Sequence, residues 1–150
     1  MKKFILFLIL LLPVAVYAED DIGAKSAVLL DTKTEKIIYE KNKDERLPIA
    51  SLTKMALQTI VLENIENKTI KWDDMVEVSE NAANMGGSQI YLSKGEKMSV
   101  YDLFRGVSMA SANDAAVALG EYIAGSEEEM TKRMNKLAKR LGLNILILKM

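Results

Sequence analysis

Residues 46–55 read Arg-Leu-Pro-Ile-Ala-Ser-Leu-Thr-Lys-Met, in which Ser51 and Lys54 are three positions apart. Pro48 favours an extended backbone at the residue before it, and apolar residues follow through about Ile65, so the sequence predicts a helix from Ser51. Residues three apart lie on the same face of a helix, which brings the hydroxyl and the amine together. Because the chain contains no histidine, this pair is the first candidate for an activated nucleophile.

Lys54 can be interpreted in two ways. A lysine titrates near pH ~10.4 in water, so it can accept a proton at neutral pH only if burial lowers its pKa. Its neighbours Leu52, Met55 and Leu57 are apolar, where a solvent-facing lysine is not the obvious choice. A buried neutral amine could accept the proton of Ser51 as this hydroxyl attacks a carbonyl carbon. The alternative is that Lys54 extends to water while Ser51 only caps the helix.

A second candidate motif is Ser111-Ala112-Asn113. Neither motif is specific by itself, since about one accidental Ser-x-x-Lys match is expected in a chain of this composition. Another Ser-x-Asn occurs at residues 79–81, where Ser79 is better explained as the cap of a short helix. The spacing alone therefore does not establish catalysis.

The rest of the pattern predicts a hairpin, a central helix and a mostly helical half. Two strands at residues 26–30 and 36–39 flank a polar turn, and a short strand is possible at residues 75–78. Three further helices are predicted. The first opens at Ser99 with Asp102 and runs through about Met109, and the second covers residues 114–124 and is closed by Gly125. The third opens at Ser126 with Glu129 and carries an apolar stripe of Met130, Met134, Leu137 and Leu141.

Two expectations follow for packing. The helix from Ser51 is apolar on more than one face, which is typical of a helix buried inside a domain. Two strands alone make a marginal sheet, so further strands are expected after residue 142.

The first 18 residues predict a signal peptide. Lys2 and Lys3 precede an apolar run over residues 4–16, and Val16-Tyr17-Ala18 offers small residues for cleavage. The run is shorter than the roughly 20 residues of a membrane-spanning helix; the alternative is an uncleaved N-terminal anchor.

Without the two lysines of the predicted signal peptide, the chain keeps 18 basic against 21 acidic residues, a net charge near −3, which excludes a nucleic-acid footprint. The chain has no cysteine, so disulfides and a lipid-anchored cysteine are excluded.

Residues 46–55 resemble the nucleophile motif of the serine-type D-alanyl-D-alanine carboxypeptidases, the low-molecular-mass penicillin-binding proteins. Residues 79–92, 109–119 and 122–126 are also similar to that family, and the likeness runs from about Lys25 to Leu143. The resemblance implies an α+β, β-lactamase/transpeptidase-like fold, with an antiparallel sheet flanked by helices. This chain would hold only the N-terminal hairpin, the nucleophile helix and the helical subdomain.

The resemblance also implies roles by position. Ser51 would be the acylated nucleophile, with its backbone N–H in the oxyanion hole, and Lys54 would be its proton acceptor. Ser111 would pass the proton towards the leaving D-alanine, and Asn113 would hydrogen-bond the substrate backbone. The implied substrate is a peptidoglycan stem peptide ending in D-Ala-D-Ala, with β-lactam antibiotics as inhibitors. The family needs no metal or cofactor and acts in the cell envelope, so we expect an exported protein that is either secreted or at the outer face of the cytoplasmic membrane.

The family also uses a strand carrying Lys-Thr/Ser-Gly, which completes the oxyanion hole and binds the substrate carboxylate. Here residues 33–35 and 68–70 fail at the glycine. We interpret residues 19–143 as the N-terminal part of a catalytic domain and residues 144–150 as an aberrant tail from a frameshifted or prematurely ended gene; the alternative is an unusual native terminus. The C-terminal membrane-binding segment of the family would be absent too, and we expect this chain to fold poorly and to be nearly inactive.

Two other functions stay open from the sequence. A class A β-lactamase shares the first motif, but it would normally carry aspartate at the position of Ala112 and a deacylating glutamate downstream. Residues 144–150 contain no glutamate. A non-catalytic exported fragment that only binds wall peptides or β-lactams is the second alternative.

Overall fold

The computed structural model describes residues 22–143 and 147–149. The predicted signal peptide at residues 1–18 lies outside these ranges, as do residues 144–146 and 150 of the predicted tail. Within the described ranges, no helix combines the length and the apolar character needed to cross a bilayer. The chain divides into two compact units, Met1–Leu47 and Pro48–Met150.

The first unit contains the predicted hairpin. Strand β1 (Ala27–Asp31) pairs antiparallel with strand β2 (Lys36–Lys41). The Asp31 carboxylate accepts hydrogen bonds from the Lys33 backbone N–H at 2.9 Å and the Thr34 hydroxyl at 2.7 Å, which closes the polar turn. Five large apolar side chains of the two strands are exposed: Val28, Leu29, Leu30, Ile37 and Ile38.

The second unit holds all the described helices. Its elements are a 3₁₀ turn (Ala50–Thr53), α1 (Lys54–Glu66), β3 (Met75–Glu77), α2 (Glu80–Ala83), β4 (Lys97–Ser99), α3 (Val100–Ala110), α4 (Asn113–Ala124) and α5 (Glu127–Arg140). Strand β3 pairs antiparallel with β4. The short strand predicted near residue 75 is confirmed; its partner is only three residues long, too short for a periodic pattern.

Serine hydroxyls start three of these helices. The side chains of Ser79, Ser99 and Ser126 accept the backbone N–H three residues further on, at 2.9, 3.1 and 3.1 Å respectively. Each bond satisfies a backbone donor that has no partner inside the helix. Gly125 ends α4 with a φ of 87°. The three predicted caps and this predicted helix end are therefore confirmed.

Helix α4 lies at the centre of the second unit. Every residue from Asp114 to Gly120 is buried, and α4 contacts α1, α3 and α5. Helix α1 buries only one face, and Leu52 and Met55 are each 61% exposed. The prediction that this helix is buried on several sides is therefore wrong for the described part of the chain. Apolar composition shows that a face can be covered, but not that another described element covers it.

Helix α5 packs through most of its predicted stripe. Met130, Met134 and Leu137 are buried, but Leu141 is exposed because the helix ends at Arg140, and Ala138 is buried instead. Beyond the helix, Leu148 joins the core. The side-chain amide of Asn135 donates to the Leu148 carbonyl and accepts its backbone N–H, both at 2.9 Å.

Candidate active site

Ser51 lies in the 3₁₀ turn just before α1. The prediction placed Ser51 in the first turn of the α-helix, but α1 begins at Lys54. A 3₁₀ turn has three residues per turn, so residues i and i+3 still lie on one side. Ala50 has a φ of 46°, a left-handed conformation that costs about 1–2 kcal/mol for an L-residue. This strained turn directly precedes the exposed hydroxyl of Ser51.

Ser111 and Asn113 lie where α3 ends and α4 begins. Ser111 ends α3 in the left-handed region with a φ of 53°. Asn113 opens α4; its backbone N–H donates to the Ser88 carbonyl at 2.7 Å, and its Nδ2 donates to the Gly86 carbonyl at 2.6 Å. A single turn therefore holds the Ser111 hydroxyl and the Asn113 amide in fixed positions.

The structure brings the four sequence-predicted residues into one hydrogen-bonded chain. Lys54 Nζ donates to Ser111 Oγ at 3.0 Å, to Asn113 Oδ1 at 2.6 Å and to the Ser111 carbonyl. Ser111 Oγ in turn donates to Ser51 Oγ at 2.8 Å. Among the described contacts, no hydrogen bond joins Lys54 directly to Ser51. The path from the Ser51 hydroxyl to the amine therefore runs through Ser111.

Burial favours the neutral form of Lys54. Partial burial lowers the pKa of the Lys54 amine below the ordinary lysine value, while the negative charge of Asp114 acts in the opposite direction and raises it. Burial is the larger of the two effects. It lowers the pKa because it disfavours the charged form of the amine. The alternative interpretation required that the amine extends into water. Instead, the amine donates to three protein acceptors.

A cavity of about 350 Å³ opens beside this chain of contacts. Polar groups of Ser51, Lys54 and Asn113 line it together with apolar side chains such as Met85. Lys149 also lines the cavity, and no carboxylate does so among the described residues. An apolar pocket with a few convergent polar groups is the usual form of a small-ligand site.

Metal binding has no comparable support in the part of the chain that the structure describes. No group of three or more carboxylate, imidazole or thiol side chains comes together there.

Sequence reasoning missed two residues that shape the site, Asp114 and Gly87. Asp114 is 1% exposed, although it begins an otherwise apolar run in α4; a charged residue in such a run was the available signal. Gly87 has a φ of 80°, and a Cβ added there would lie 2.8 Å from Asn113 Nδ2.

The close approach at Gly87 leads to a testable prediction. The resemblance implies that Ser51 is acylated, and we expect Gly87→Ala to slow acylation by a penicillin at least about tenfold, because misplacing a positioning group by 1 Å can cost that much or more. Gly95→Ala is the matched control, since Gly95 has a φ of 77° but open space around its Cα. Both variants should lose similar stability in thermal unfolding. Equal acylation rates for the two variants would contradict the prediction.

The lowered pKa of Lys54 predicts a pH dependence. An amine accepts a proton only when it is neutral, and its neutral fraction rises tenfold per pH unit below its pKa. The acylation rate should therefore rise with pH and level off below the ordinary lysine value of about 10.4. Mass spectrometry of samples quenched at fixed times measures the penicillin adduct at each pH. The hydrolysis of penicillin in buffer alone gives the background. A rate that is flat, or that falls with rising pH, would exclude Lys54 as the base.

The sequence was compared with known families and structures. Residues 14–146 match the family model of peptidase family S11, the D-alanyl-D-alanine carboxypeptidases. The D-alanyl-D-alanine carboxypeptidase DacF of Bacillus subtilis is 52% identical over 120 residues, which cover 80% of this chain and 31% of the relative.

Solved structures match the same region. The crystal structure of the D-alanyl-D-alanine carboxypeptidase DacD from Francisella tularensis matches with a TM-score of 0.80 and 43% identity, over 83% of this chain and 30% of that one. Penicillin-binding protein D2 of Listeria monocytogenes, solved in the ampicillin-bound form, matches with a TM-score of 0.72 and 32% identity, over 81% and 48% of the two chains. The chain thus spans about a third of the two carboxypeptidases and half of the third protein.

Proposed function

The chain belongs to the D-alanyl-D-alanine carboxypeptidase family, and from that membership we propose that Ser51 is the nucleophile of an acyl-transfer site for peptides ending in D-Ala-D-Ala. The family and the α+β fold of penicillin-binding proteins are those that the resemblance of residues 46–55 to the carboxypeptidase nucleophile motif implied. The observation that carries the proposal is the hydrogen-bonded chain Ser51–Ser111–Lys54 beside a cavity. A hydroxyl joined to a half-buried amine is a known way to activate a serine without histidine.

In the acylation step, Ser51 Oγ bonds to the carbonyl carbon of the peptide bond between the two D-alanines. For this step the two hydroxyl hydrogens turn, so that Ser51 donates to Ser111 Oγ and Ser111 donates to the neutral amine of Lys54. The Ser51 proton then moves to Ser111 Oγ as the Ser111 proton moves to the amine, which becomes an ammonium group. When the tetrahedral intermediate collapses, the C–N bond breaks and the leaving D-alanine nitrogen takes a proton back along the same path. Water then cleaves the acyl ester and restores the Ser51 hydroxyl.

Asn113 is proposed to hold the peptide backbone. A side-chain amide offers two N–H donors and two acceptor lone pairs. One donor is bound to Gly86 and one acceptor to Lys54. One N–H and one lone pair therefore remain, which suits an extended peptide that presents a carbonyl and an N–H together.

The partners and location are proposals of the same kind. The substrate would be a peptidoglycan stem peptide, and β-lactams would acylate Ser51 as inhibitors, as the ampicillin-bound form of the Listeria protein suggests. Export would depend on residues 1–18 as a signal peptide and would bring the protein to the cell envelope, either secreted or at the outer face of the cytoplasmic membrane.

Covalent capture of a penicillin tests the proposal. The full chain is incubated with a fluorescent penicillin for hours, because acylation is a single turnover and a slow rate can still be followed. We expect a denaturation-resistant adduct of one penicillin that maps by peptide mass to Ser51. The same sample should slowly release D-alanine from a diacetylated Lys-D-Ala-D-Ala tripeptide.

Two outcomes would overturn the proposal. Absence of any adduct would mean that the chain is a non-catalytic fragment. An adduct that forms and is hydrolysed within seconds would indicate a β-lactamase, since the acyl-enzyme of a penicillin-binding protein is long-lived.

A further inference from the structure

Asp114 is a buried carboxylate to which the proposed chemistry assigns no role. It lies in the first turn of α4 and is 1% exposed. Its oxygens accept backbone N–H groups of Ile90 at 3.2 Å, Leu92 at 3.0 Å and Ala115 at 2.8 Å. A buried charge is tolerated only when hydrogen bonds replace its water. These donors fix the carboxylate, and the carboxylate equally fixes the backbone that supplies two of them.

That backbone is the stretch of residues 85–92, which we call the 85–92 segment. It has no regular helix or strand, so its N–H and C=O groups need partners elsewhere. Near one end it is bound to Asp114. Near the other end, the carbonyls of Gly86 and Ser88 bind the side chain and the backbone N–H of Asn113. The segment therefore joins two neighbouring residues of α4 through a loop.

The backbone of Tyr91 shows how firmly this segment is held. Tyr91 lies between the two residues whose N–H groups bind Asp114, and it has a φ of 61°. An aromatic residue rarely adopts this left-handed conformation, and it persists only where the surroundings enforce it. Its ring is exposed, so packing of the ring does not supply that force. The described contacts on either side of Tyr91 are the hydrogen bonds of Ile90 and Leu92 to Asp114.

We propose that Asp114 is a positioning residue that holds the 85–92 segment and thereby orients the side-chain amide of Asn113 towards Lys54. The inference rests on the proposed function, because the Asn113 amide that is oriented accepts a hydrogen bond from Lys54, the proposed base. With Nδ2 held by the Gly86 carbonyl, Oδ1 must face Lys54 Nζ, where it accepts at 2.6 Å. If the segment were released, the amide could turn its NH₂ group to the amine and Lys54 would lose an acceptor.

The charge of Asp114 gives the proposal an independent readout. The charged groups that face the site in the described part of the chain are Asp114 from α4 and Lys149, which lines the same cavity. The attraction of Asp114 raises the pKa of Lys54 against the effect of burial. Replacing the carboxylate with an amide of the same shape should therefore lower the pKa of Lys54.

The experiment compares Asp114→Asn with Asp102→Asn in the full chain. Asp102 also lies in the first turn of a helix, but it is exposed and pairs with Ser99 and Arg105. The control therefore removes the same charge from a residue that is not among the causes of the Lys54 pKa shift. The chain carries ¹³C-labelled lysine, and the Lys54 signal is assigned by its absence in Lys54→Met. We expect Asp114→Asn to lower the titration midpoint of Lys54 and to speed amide exchange at Ile90 and Leu92 at least about tenfold.

Acylation provides the second measurement. At a pH where the Lys54 amine is already neutral in the wild type, Asp114→Asn should react with penicillin about tenfold more slowly than Asp102→Asn, which should match the wild type. An unchanged Lys54 midpoint together with unchanged exchange at Ile90 and Leu92 would overturn the proposal. If no variant forms an adduct, the proposed function fails, while the titration and exchange data still decide the role of Asp114.

A variant that fails to fold would not end the test. The wild-type chain alone should then show slow exchange of the Ile90 and Leu92 amides, comparable to the amides in the middle of α4. Exchange as fast as that of the exposed turn at Lys94 and Gly95 would overturn the proposal.

Discussion

Replacement of Ser51 with alanine is expected to abolish covalent capture of penicillin by this chain. The Ser51 hydroxyl is exposed beside the cavity and accepts a hydrogen bond from Ser111 Oγ at 2.8 Å, so it is the hydroxyl that a carbonyl carbon in the cavity would meet. Removing a nucleophile leaves no atom to form the ester. Intact-mass measurement after overnight incubation should show the adduct in the wild type and none in the variant.

A matched serine controls for effects on folding. Ser88→Ala removes an exposed hydroxyl, while the Ser88 carbonyl that binds Asn113 stays in place. This variant should be labelled like the wild type. Labelling that persists in Ser51→Ala would contradict the assignment, and peptide mapping would then show whether Ser111 carries the adduct instead.

Replacement of Lys54 with methionine is expected to slow acylation about 10²–10⁴-fold, the usual contribution of a general base. Methionine has a similar length but cannot accept a proton. The relay from Ser51 would then end at Ser111, whose hydroxyl has no other base within reach among the described contacts. The rate is measured at a single pH where the wild-type reaction is easily followed.

Stability data separate loss of the base from loss of the fold. Lys54→Met leaves Asn113 Oδ1 and the Ser111 carbonyl without a donor, but the open cavity lets water replace it. Its unfolding temperature should therefore change little. Lys94→Met is the control, because Lys94 is exposed and pairs with Glu80. A Lys54→Met chain that reacts at the wild-type rate would exclude Lys54 as the base.

Local sequence signals predicted much of the second unit. Ser99 and Ser126 were recognised as helix caps because a hydroxyl before an apolar periodic run has one main use, and Gly125 because it tolerates a left-handed backbone. That Ser51 and Lys54 lie on one side of the chain followed from their spacing alone. That spacing also tolerated the difference between an α-helix and the observed 3₁₀ turn, since both place residues three apart on one side.

The remaining features depend on contacts between distant residues. The spacing of Ser51 and Lys54 says nothing of Ser111, which the fold inserts between them from 60 positions away. The hydrogen bonds of Asp114 could not be predicted from spacing either, because its partners at positions 90 and 92 lie in an irregular loop. The exposed faces of Leu52 and Met55 could not be predicted either, because a sequence pattern gives the apolar character of a face but not its cover.

The hairpin of the first unit has a practical consequence for the purified protein. Its two strands expose five large apolar side chains, and each strand has an outer row of backbone donors and acceptors. A ribbon of this kind is a template for pairing with further strands, the route by which short apolar segments form fibrils. Aggregation at high concentration would then be traced to residues 27–41, and Ile38→Lys would be the first substitution to improve solubility.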